Sequence, residues 1–574
     1  MSDDRVVKRT TGTAPKKSVQ GLQGKSLSAV QYGTRHAIYG GQLAKDTGSR
    51  RMPSPPGMPS REAVKREPDF GKLTTRVTER PSKSLNGKPP SHIEYAPGLL
   101  EIVEHSELLA RRVRQLCKSV VFSVETSTVS GKRFPYNALP DAKINFNEYI
   151  PDNNVRHDVI ARLTAEGFSL LHEGIFSTSL SGTAKDLQRY FGISLRLFAA
   201  PLPAELPLRT WERDCRAPTP ESLFLGLSPT SNERIRARGI EALEIAPPIK
   251  TFAARTSISS TAPQVSYHAL DAAAIRRHLH VPDHGATGEG VSVAMIDSGF
   301  WDHPYFSGLD YRRQKTTVAP DPEVDQYGHG TAMAMNFFAT ARKASLLAFK
   351  HVDALPDVAI DSAIQSGAQI ITCSWGVPPN RQLTKLIRYA VSQGVIVLFA
   401  AGNGQIQWPG NMREVISVGG VHADEFGNLQ ASDMANGYIA KDGRPVPDIC
   451  GLCGMGPLGV YVLSPTQPGS DLDSRRAGHP HPSYDHTDAD DGWVGISGTS
   501  AATAQVAGVV ALLLEKAQHT PKRKLTQTDV ISIFRASSRD VLSGHSAQGN
   551  PAGPSPSIAC GYGLVDASAA LARL

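Results

Sequence analysis

Two short apolar runs, at 291–296 and 395–399, constrain the fold of this chain most. Both are continuous rather than alternating, which is typical of strands that are buried on both faces of a parallel sheet. Apolar, helix-like stretches follow at 331–341 and 501–514. Strands and helices in this alternation predict an α/β fold, with a mostly parallel sheet flanked by helices.

Polar residues stand where these elements begin or end. Asp297 follows the first strand, Asn403 follows the second on a glycine-rich turn, and His329 and Ser500 each open a helix-like stretch. Each segment alone is weak evidence for catalysis, because Gly-His-Gly is usually structural and Gly-Thr-Ser is often a helix cap. Together they suit catalysis: a serine nucleophile needs a base, histidine has a suitable pKa, and a carboxylate fixes its tautomer.

The four segments together resemble the subtilisin-like serine endopeptidases, the subtilases, over about 300 residues from near 267 to the C-terminus. The resemblance implies a nucleophile at Ser500, a base and then acid at His329, and an orienting carboxylate at Asp297. It also implies that Asn403 donates a hydrogen bond to the oxyanion. The expected activity is hydrolysis of peptide bonds through an acyl-enzyme.

The same resemblance assigns substrate binding to Ser374, Trp375 and Gly376, after the apolar run 369–373. This segment would pair with an extended peptide by strand addition, so the expected partners are proteins or peptides. Trp375 near the P1 pocket predicts a fairly apolar substrate.

Several features depart from the family pattern. Ala501, Ala504 and Gln505 stand where subtilases usually have Met, Pro and His. The interval from Asn403 to Ser500 is longer than is usual in subtilases. The extra residues lie after Val421 and in 464–493, and we expect them to border the cleft. The alternative is a catalytically idle, peptide-binding regulatory protein of the same fold.

The region before the peptidase-like part predicts a small α+β domain of ferredoxin-like type, which resembles subtilase propeptides. We place this domain and its linker at 96–250, and the peptidase domain at 265–574. The predicted order is a helix at 99–120, a strand at 143–150, a helix at 155–166, two strands within 168–183, a helix at 184–192 and a strand at 193–198.

In the family, such domains assist folding of the peptidase and block its cleft until they are cleaved. The resemblance therefore implies a linker to be cut within 197–264, where 246–264 is the most loop-like part. Large parallel-sheet domains fold slowly, which gives a template its physical use. The alternative is a permanent accessory domain that binds substrates or partners.

Residues 1–95 form a basic tail with 18 Lys/Arg against 8 Asp/Glu, whereas the rest of the chain has 43 against 46. Proline, serine and glycine clusters predict that this tail is disordered. It suits an anionic partner such as nucleic acid, a membrane surface or an acidic protein. The alternative is a solvated leader without a specific target.

A cytoplasmic location is expected. Residues 1–20 lack the apolar core of a secretory signal, and the six cysteines are few and scattered. No apolar run approaches the roughly 18 residues of a membrane span, so no transmembrane segment is predicted. No feature of the sequence indicates an oligomeric state.

Two polar clusters suggest metals only weakly. Zinc at Cys450 and Cys453 would need two more ligands, so we expect packed thiols, with a labile disulfide as the alternative. Calcium could bind an acidic loop, but a solvated loop is the simpler interpretation. We predict no cofactor and assign no calcium ligands; the loop carboxylates are Asp485, Asp488, Asp490 and Asp491.

Overall fold

The computed structural model describes two domains. The described residues are 89–138, 143–199, 223–228, 239–245, 268–351, 355–404, 407–455, 460–478, 484–519 and 524–574. We call 89–245 the N-terminal domain and 268–574 the C-terminal domain. Residues 1–88 and 246–267 lie outside the described residues, so the predictions for the basic tail and for the cleavable linker stay predictions.

The N-terminal domain contains seven described strands and four described helices. They are β1 (Glu94–Tyr95), α1 (Leu99–Glu104), α2 (Glu107–Lys118), β2 (Val120–Thr126), α3 (Asn153–Ala165), β3 (Ser169–Glu173), β4 (Thr178–Gly182), α4 (Ala184–Phe191), β5 (Leu195–Ala199), β6 (Leu223–Leu227) and β7 (Ile240–Glu244). An antiparallel sheet in the order β3-β4-β2-β7 carries α3 and α4 in its connections. This is the order of a split βαβ sandwich.

Three sequence predictions in this domain were wrong in detail. The predicted helix 99–120 is two helices, because the Ser106 side chain accepts from Leu109 N–H and starts α2 anew. The predicted strand 143–150 holds a 3₁₀ turn, Phe146–Tyr149, and the sheet's first strand is β2. The predicted last strand, near β5, pairs with β1 and β6 in a separate sheet, and β7 closes the main one.

The C-terminal domain is α/β. Its elements are β8 (His268–Ala269), α5 (Ala272–His278), β9 (Ser292–Asp297), β10 (Tyr311–Gln314), α6 (His329–Phe338), β11 (Ser345–Lys350), α7 (Pro356–Gln365), β12 (Ile370–Cys373), α8 (Arg381–Ser392), β13 (Ile396–Ala400), β14 (Ile416–Ala423), β15 (Leu429–Ala431), β16 (Tyr438–Ile439), β17 (Pro445–Val446), β18 (Ile449–Leu452), β19 (Val460–Pro465), α9 (Asp471–Arg476), β20 (Trp493–Ile496), α10 (Thr499–Gln518), α11 (Gln527–Ser537), β21 (Val541–His545), β22 (Pro551–Gly553) and α12 (Ala567–Leu571).

Its central strands run parallel in the order β10-β11-β9-β12-β13-β14. The chain leaves β9 toward β11 on one side and later adds β12 on the other, so the strand order reverses at β9. Ligands of open α/β sheets bind beyond the carboxyl ends of strands at such a point. Asp297, the last residue of β9, lies there.

The two faces of the sheet bury different partners. In β9, Val293 and Met295 belong to an apolar cluster with α6 and α10. Ala294 and Ile296 face the other way, into a cluster with α7 and α8 that also takes in aromatic residues of the N-terminal domain. Alternation along a strand produces this division.

Helix α10 crosses the first face and meets α6 closely. A Cβ on Gly508 would collide with Thr340 Oγ1, so a glycine is needed for this approach. Although the sequence suggested no span-like run, α10 is long and apolar enough to cross a membrane, and 89% of that apolar window is buried. Burial of this kind is typical of a core helix.

Candidate active site

Asp297 and His329 form a buried pair at the carboxyl edge of the sheet. Asp297 ends β9 and His329 begins α6, and Asp297 Oδ1 lies 2.7 Å from His329 Nδ1. The two side chains are 1% and 12% exposed. Tyr327 stacks on the imidazole, with 5.4 Å between ring centroids. A carboxylate at Nδ1 favours the tautomer in which Nδ1 carries the proton and Nε2 is the basic nitrogen.

A second carboxylate, Asp325, holds this pair in place. It is fully buried, and its Oδ1 accepts from Ser298 Oγ at 2.7 Å and from Gly328 N–H at 3.0 Å. Its Oδ2 accepts from the N–H and the hydroxyl of Thr331, at 2.8 and 2.6 Å. Burial raises the pKa of Asp325, and these hydrogen bonds oppose the rise. Sequence reasoning missed Asp325; its position four residues before the histidine was the available signal.

His351 is another buried residue that sequence reasoning missed. Its backbone N–H donates to the Asp297 carbonyl at 2.8 Å, and its ring lies 6.2 Å from that of Trp375. Burial lowers the pKa of His351 to about 4, so the ring is neutral near pH 7. A neutral, buried imidazole adds no charge beside the Asp297 carboxylate.

Ser500 lies in the first turn of α10, where helix N–H groups and the helix dipole favour negative charge. Its hydroxyl donates to the Ser374 carbonyl at 3.1 Å, and the Ser374 hydroxyl donates to the Ser500 carbonyl at 3.0 Å. The predicted nucleophile and the predicted substrate-binding segment are therefore adjacent.

Asn403 contacts the first residue of α10, Thr499. Its side-chain oxygen accepts from the Thr499 N–H at 2.9 Å and from the Thr499 hydroxyl at 3.1 Å. A Cβ placed on Gly498 would lie 3.0 Å from Asn403 Nδ2. Because the oxygen is occupied, the NH₂ group remains to donate beside Ser500, as an oxyanion donor must.

Trp375 does not line the cleft with its side chain. Its indole N–H donates to the Ile296 carbonyl at 2.8 Å, and its ring packs edge-on against Phe399 in the core. The residue is 3% exposed. The apolar substrate preference suggested by Trp375 is therefore not supported, although the backbone of the segment still borders Ser500.

The predicted long insertion, 464–493, supports the histidine loop. Asp471 and Leu472 donate their N–H groups to the carbonyls of Gln326 and Tyr327, at 3.2 Å each. The Thr466 hydroxyl donates to the Gly328 carbonyl at 2.8 Å. The insertion thus packs behind the loop that presents His329.

Two carboxylates of the acidic loop accept hydrogen bonds from the loop and its neighbouring strand. Asp485 accepts from Thr487 and Gly495, and Asp491 accepts from the N–H groups of Asp488 and Trp493. Among the described residues, no group of three or more His, Cys, Asp or Glu is arranged to hold a metal ion. Asp485 and Asp491 therefore stabilise the loop, and the absence of a cofactor stays a prediction.

The cysteine pair is buried as free thiols. Cys450 and Cys453 lie on and just after β18, and Cys450 Sγ donates to the Cys560 carbonyl at 3.5 Å. Burial raises the pKa of Cys453 to about 12. A thiol in this environment is inert at neutral pH, which favours the packed-thiol interpretation.

Known proteins match the part of the chain that holds this site. The model of the subtilase family matches residues 288–563. Subtilisin Savinase of Lederbergia lenta is 30% identical over 253 residues, covering 40% of this chain and 79% of that protein. M-protease of Shouchella clausii is 28% identical over 309 residues, with 50% and 70% covered. The intracellular serine protease of Paenibacillus polymyxa is 28% identical over 273 residues, with 42% and 72% covered.

Proposed function

Because this chain belongs to the subtilase family of serine peptidases, we propose that it is an endopeptidase whose triad is Asp297, His329 and Ser500. His329 removes the Ser500 proton as the oxygen attacks the peptide carbonyl. Asn403 donates to the oxyanion, and His329 then protonates the leaving amine. Water hydrolyses the acyl-enzyme by the same proton transfers in reverse order.

One observation carries this proposal. Asp297 and Ser374 each follow one of two paired residues, Ile296 of β9 and Cys373 of β12. The Ser500 hydroxyl, which donates to Ser374, therefore lies at the same sheet edge as the His329–Asp297 pair. This placement supports a shared role of the four residues in acyl transfer.

Covalent labelling with a fluorophosphonate tests the proposal. The wild type should be labelled on Ser500 and should hydrolyse a denatured protein, whereas Ser500→Ala should do neither. His329→Ala should lose both labelling and hydrolysis, because no base remains. A wild type that is neither labelled nor active would favour the idle, peptide-binding alternative.

We further propose that the N-terminal domain controls the peptidase through helices α7 and α8. Carboxylates at this interface accept from backbone N–H groups of the other domain. Glu244 of β7 accepts from Arg381 at 3.1 Å, at the start of α8. Asp361 of α7 accepts from Ile175 at 2.8 Å and lies 3.0 Å from His172 Nε2.

The interface also buries a salt bridge and aromatic rings. Lys385 of α8 lies 2.8 Å from Glu125 of β2, with side chains 3% and 11% exposed. Phe146 and Phe176 stand edge-on against Tyr389, with ring centroids 5.4 and 5.2 Å apart. An apolar centre with satisfied polar groups is typical of a specific interface. This supports a domain that templates folding and restrains the peptidase until cleavage of the linker.

Intact-mass spectrometry tests this control. The wild type should lose its N-terminal part by a cut between the two domains, and Ser500→Ala should stay at the full 61.6 kDa. If both stay intact while Ser500 is labelled, the N-terminal domain is a permanent accessory.

We also propose that the protein works in the cytoplasm. All five described cysteines are free thiols, which suits a reducing compartment. Fractionation of the source cells with an antibody to the C-terminal domain checks this, and recovery only in the medium would contradict it.

A further inference from the structure

A polar contact joins the two helices that begin at His329 and beside Ser500. Gln505 of α10 donates through Nε2 to Asn336 Oδ1 of α6, at 2.8 Å. Both side chains are fully buried. Asn336 lies seven residues after His329, and Gln505 lies five residues after Ser500. The contact therefore lies less than about two helical turns behind the two proposed reactive groups.

Gln505 also fixes the strand that supports the nucleophile turn. Its Oε1 accepts from the Leu452 N–H at 2.9 Å, and its Nε2 donates to the Leu452 carbonyl at 3.0 Å. Leu452 ends β18, and the carbonyl of the next residue, Cys453, accepts from the Gly498 N–H at 2.9 Å. Gly498 directly precedes α10. One side chain therefore connects α6, α10 and the turn that presents Ser500.

The two amides use all of their hydrogen-bonding groups. Asn336 Nδ2 donates to the Ala332 carbonyl at 3.0 Å and to the Ser464 hydroxyl at 3.2 Å. With the contacts between Gln505, Asn336 and Leu452, each NH₂ group donates twice and each oxygen accepts once. A buried network of this kind favours one arrangement, because a displacement leaves buried groups unpaired. The network thus opposes sliding of α6 along α10.

The relative position of the two helices matters for acyl transfer. His329 must take the Ser500 proton directly, and a misplacement of about 1 Å in such a geometry costs about 100-fold in rate. Position 505 also departs from the family, since subtilases usually have His there. A neutral imidazole has one donor and one acceptor, so it cannot form the three hydrogen bonds of Gln505.

We propose that Gln505 and Asn336 are positioning residues, which set the distance between the His329 imidazole and the Ser500 hydroxyl. Both act through the helices and the turn that they connect. The inference rests on the proposed function, because this distance matters only if the two groups transfer a proton. A network that only stabilised the fold would change the free energy of unfolding but not kcat.

The first test compares two buried glutamines. Gln527 of α11 binds backbone groups in the same way, since its Oε1 accepts from the Val397 N–H at 2.9 Å and its Nε2 donates to the Glu414 carbonyl at 2.6 Å. Gln505→Leu and Gln527→Leu should therefore both lower the free energy of unfolding in urea. Only Gln505→Leu should lower kcat for a peptide substrate, by at least about tenfold, with KM changed less than about twofold. An equal change of kcat in both variants, or in neither, would overturn the proposal.

Asn336→Leu is the milder variant. It removes the hydrogen bond between the helices but leaves both contacts of Gln505 with Leu452. It should lower kcat by at least about fivefold and cost less stability than Gln505→Leu. The double variant Gln505→Leu/Asn336→Leu no longer buries an unpaired Asn336 amide, so part of the stability should return while kcat stays low. Recovery of kcat together with stability would contradict a positioning role.

Crystal structures separate this inference from the proposed function. In Gln505→Leu, the distance between His329 Nε2 and Ser500 Oγ should differ from that in the wild type by at least about 0.5 Å, whereas Gln527→Leu should preserve it. This measurement requires no activity. If the distance changes but the wild type is not labelled by a fluorophosphonate, the proposed function fails and the positioning role stands. An unchanged distance overturns the inference, whatever the wild type hydrolyses.

Discussion

Buried and half-buried carboxylates occur in two regions of this molecule, and the two regions differ in where the hydrogen-bond donors come from. At the candidate active site, the Asp325 carboxylate accepts four hydrogen bonds, all from residues at most 27 positions away. At the domain interface, Asp361 and Glu244 accept from N–H groups 186 and 137 positions away, in the other domain.

This difference separates permanent structure from conditional structure. A buried acceptor without its donors costs about 1–3 kcal/mol. Asp325 meets that requirement within its own domain, so the His329 loop is held whether or not the N-terminal domain is docked. The interface carboxylates lose their partners when the domains part, but water can then reach them.

Asp325→Ala should have the largest effect. It leaves several donors beside Ser298, Gly328 and Thr331 unsatisfied, so we expect a loss of at least about 3 kcal/mol in the free energy of unfolding. Displacement of His329 should lower kcat/KM at least about 100-fold. Urea unfolding and peptide hydrolysis measure both. Asp325→Asn retains one acceptor oxygen, so its stability and activity should lie between those of the wild type and Asp325→Ala. If Asp325→Ala is as stable and active as the wild type, Asp325 does not hold the His329 loop.

Lys385→Met should have the second largest effect, and it should weaken the docking of the N-terminal domain onto the C-terminal domain. It leaves Glu125 buried with only the Tyr136 hydroxyl, so we expect the docked N-terminal domain to lose about 3 kcal/mol. Limited proteolysis of the interdomain linker in a Ser500→Ala background reports the undocked fraction. Adding Glu125→Gln should recover most of the loss; no recovery would show that the pair does not act as a unit.

Glu244→Gln tests whether the docking of the two domains depends on pH. Burial raises the pKa of Glu244 from 4.5 to about 7. The docked state therefore holds a proton that the undocked state releases, and docking weakens as the pH rises from about 4.5 to about 7. Burial also raises the pKa of Asp357 to about 6. Docking should therefore keep some pH dependence in the wild type and in the Glu244→Gln variant.

The glutamine accepts the same N–H groups of Arg381 and Gln382 without titrating. Its docking should vary less with pH and be tighter than that of the wild type at pH 8. Hydrogen exchange of β7 and α8 from pH 5 to 8 measures this, and parallel curves for the two proteins would contradict it.

Trp375→Phe should have the smallest effect. It removes one buried hydrogen bond to Ile296, at a cost of about 1 kcal/mol in the free energy of unfolding. Because the ring faces the core, P1 preference should not change. Cleavage of a peptide library measures the P1 preference. A changed preference would show that the Trp375 side chain contacts the substrate.

The sequence predicted the C-terminal domain well because its signals are local. Continuous apolar runs identified β9 and β13, and the polar residues after them lie at the carboxyl ends of these strands. The long-range consequences were not visible. That Asp325 meets Ser298, or that Trp375 turns inward, depends on tertiary packing that no short pattern encodes.

The N-terminal domain was harder to predict from sequence for a physical reason. Its overall order was recognisable, but its closing strand β7 follows a long segment after β5, so sequence proximity assigned the wrong strand to the sheet. The run 143–150 alternates like a strand, yet Phe146 and Tyr149 bury their rings from a 3₁₀ turn. Burial against a neighbouring surface here outweighed the pattern.

The close contact at Gly508 has a consequence for protein engineering. Helices α6 and α10 begin at or beside His329 and Ser500, and their separation is fixed where Gly508 meets Thr340. Eight residues of helix place that contact about 12 Å from Ser500, the proposed nucleophile. Directed evolution should therefore sample position 508 and its neighbours, since small volume changes there alter the spacing between His329 and Ser500 without contact to either side chain.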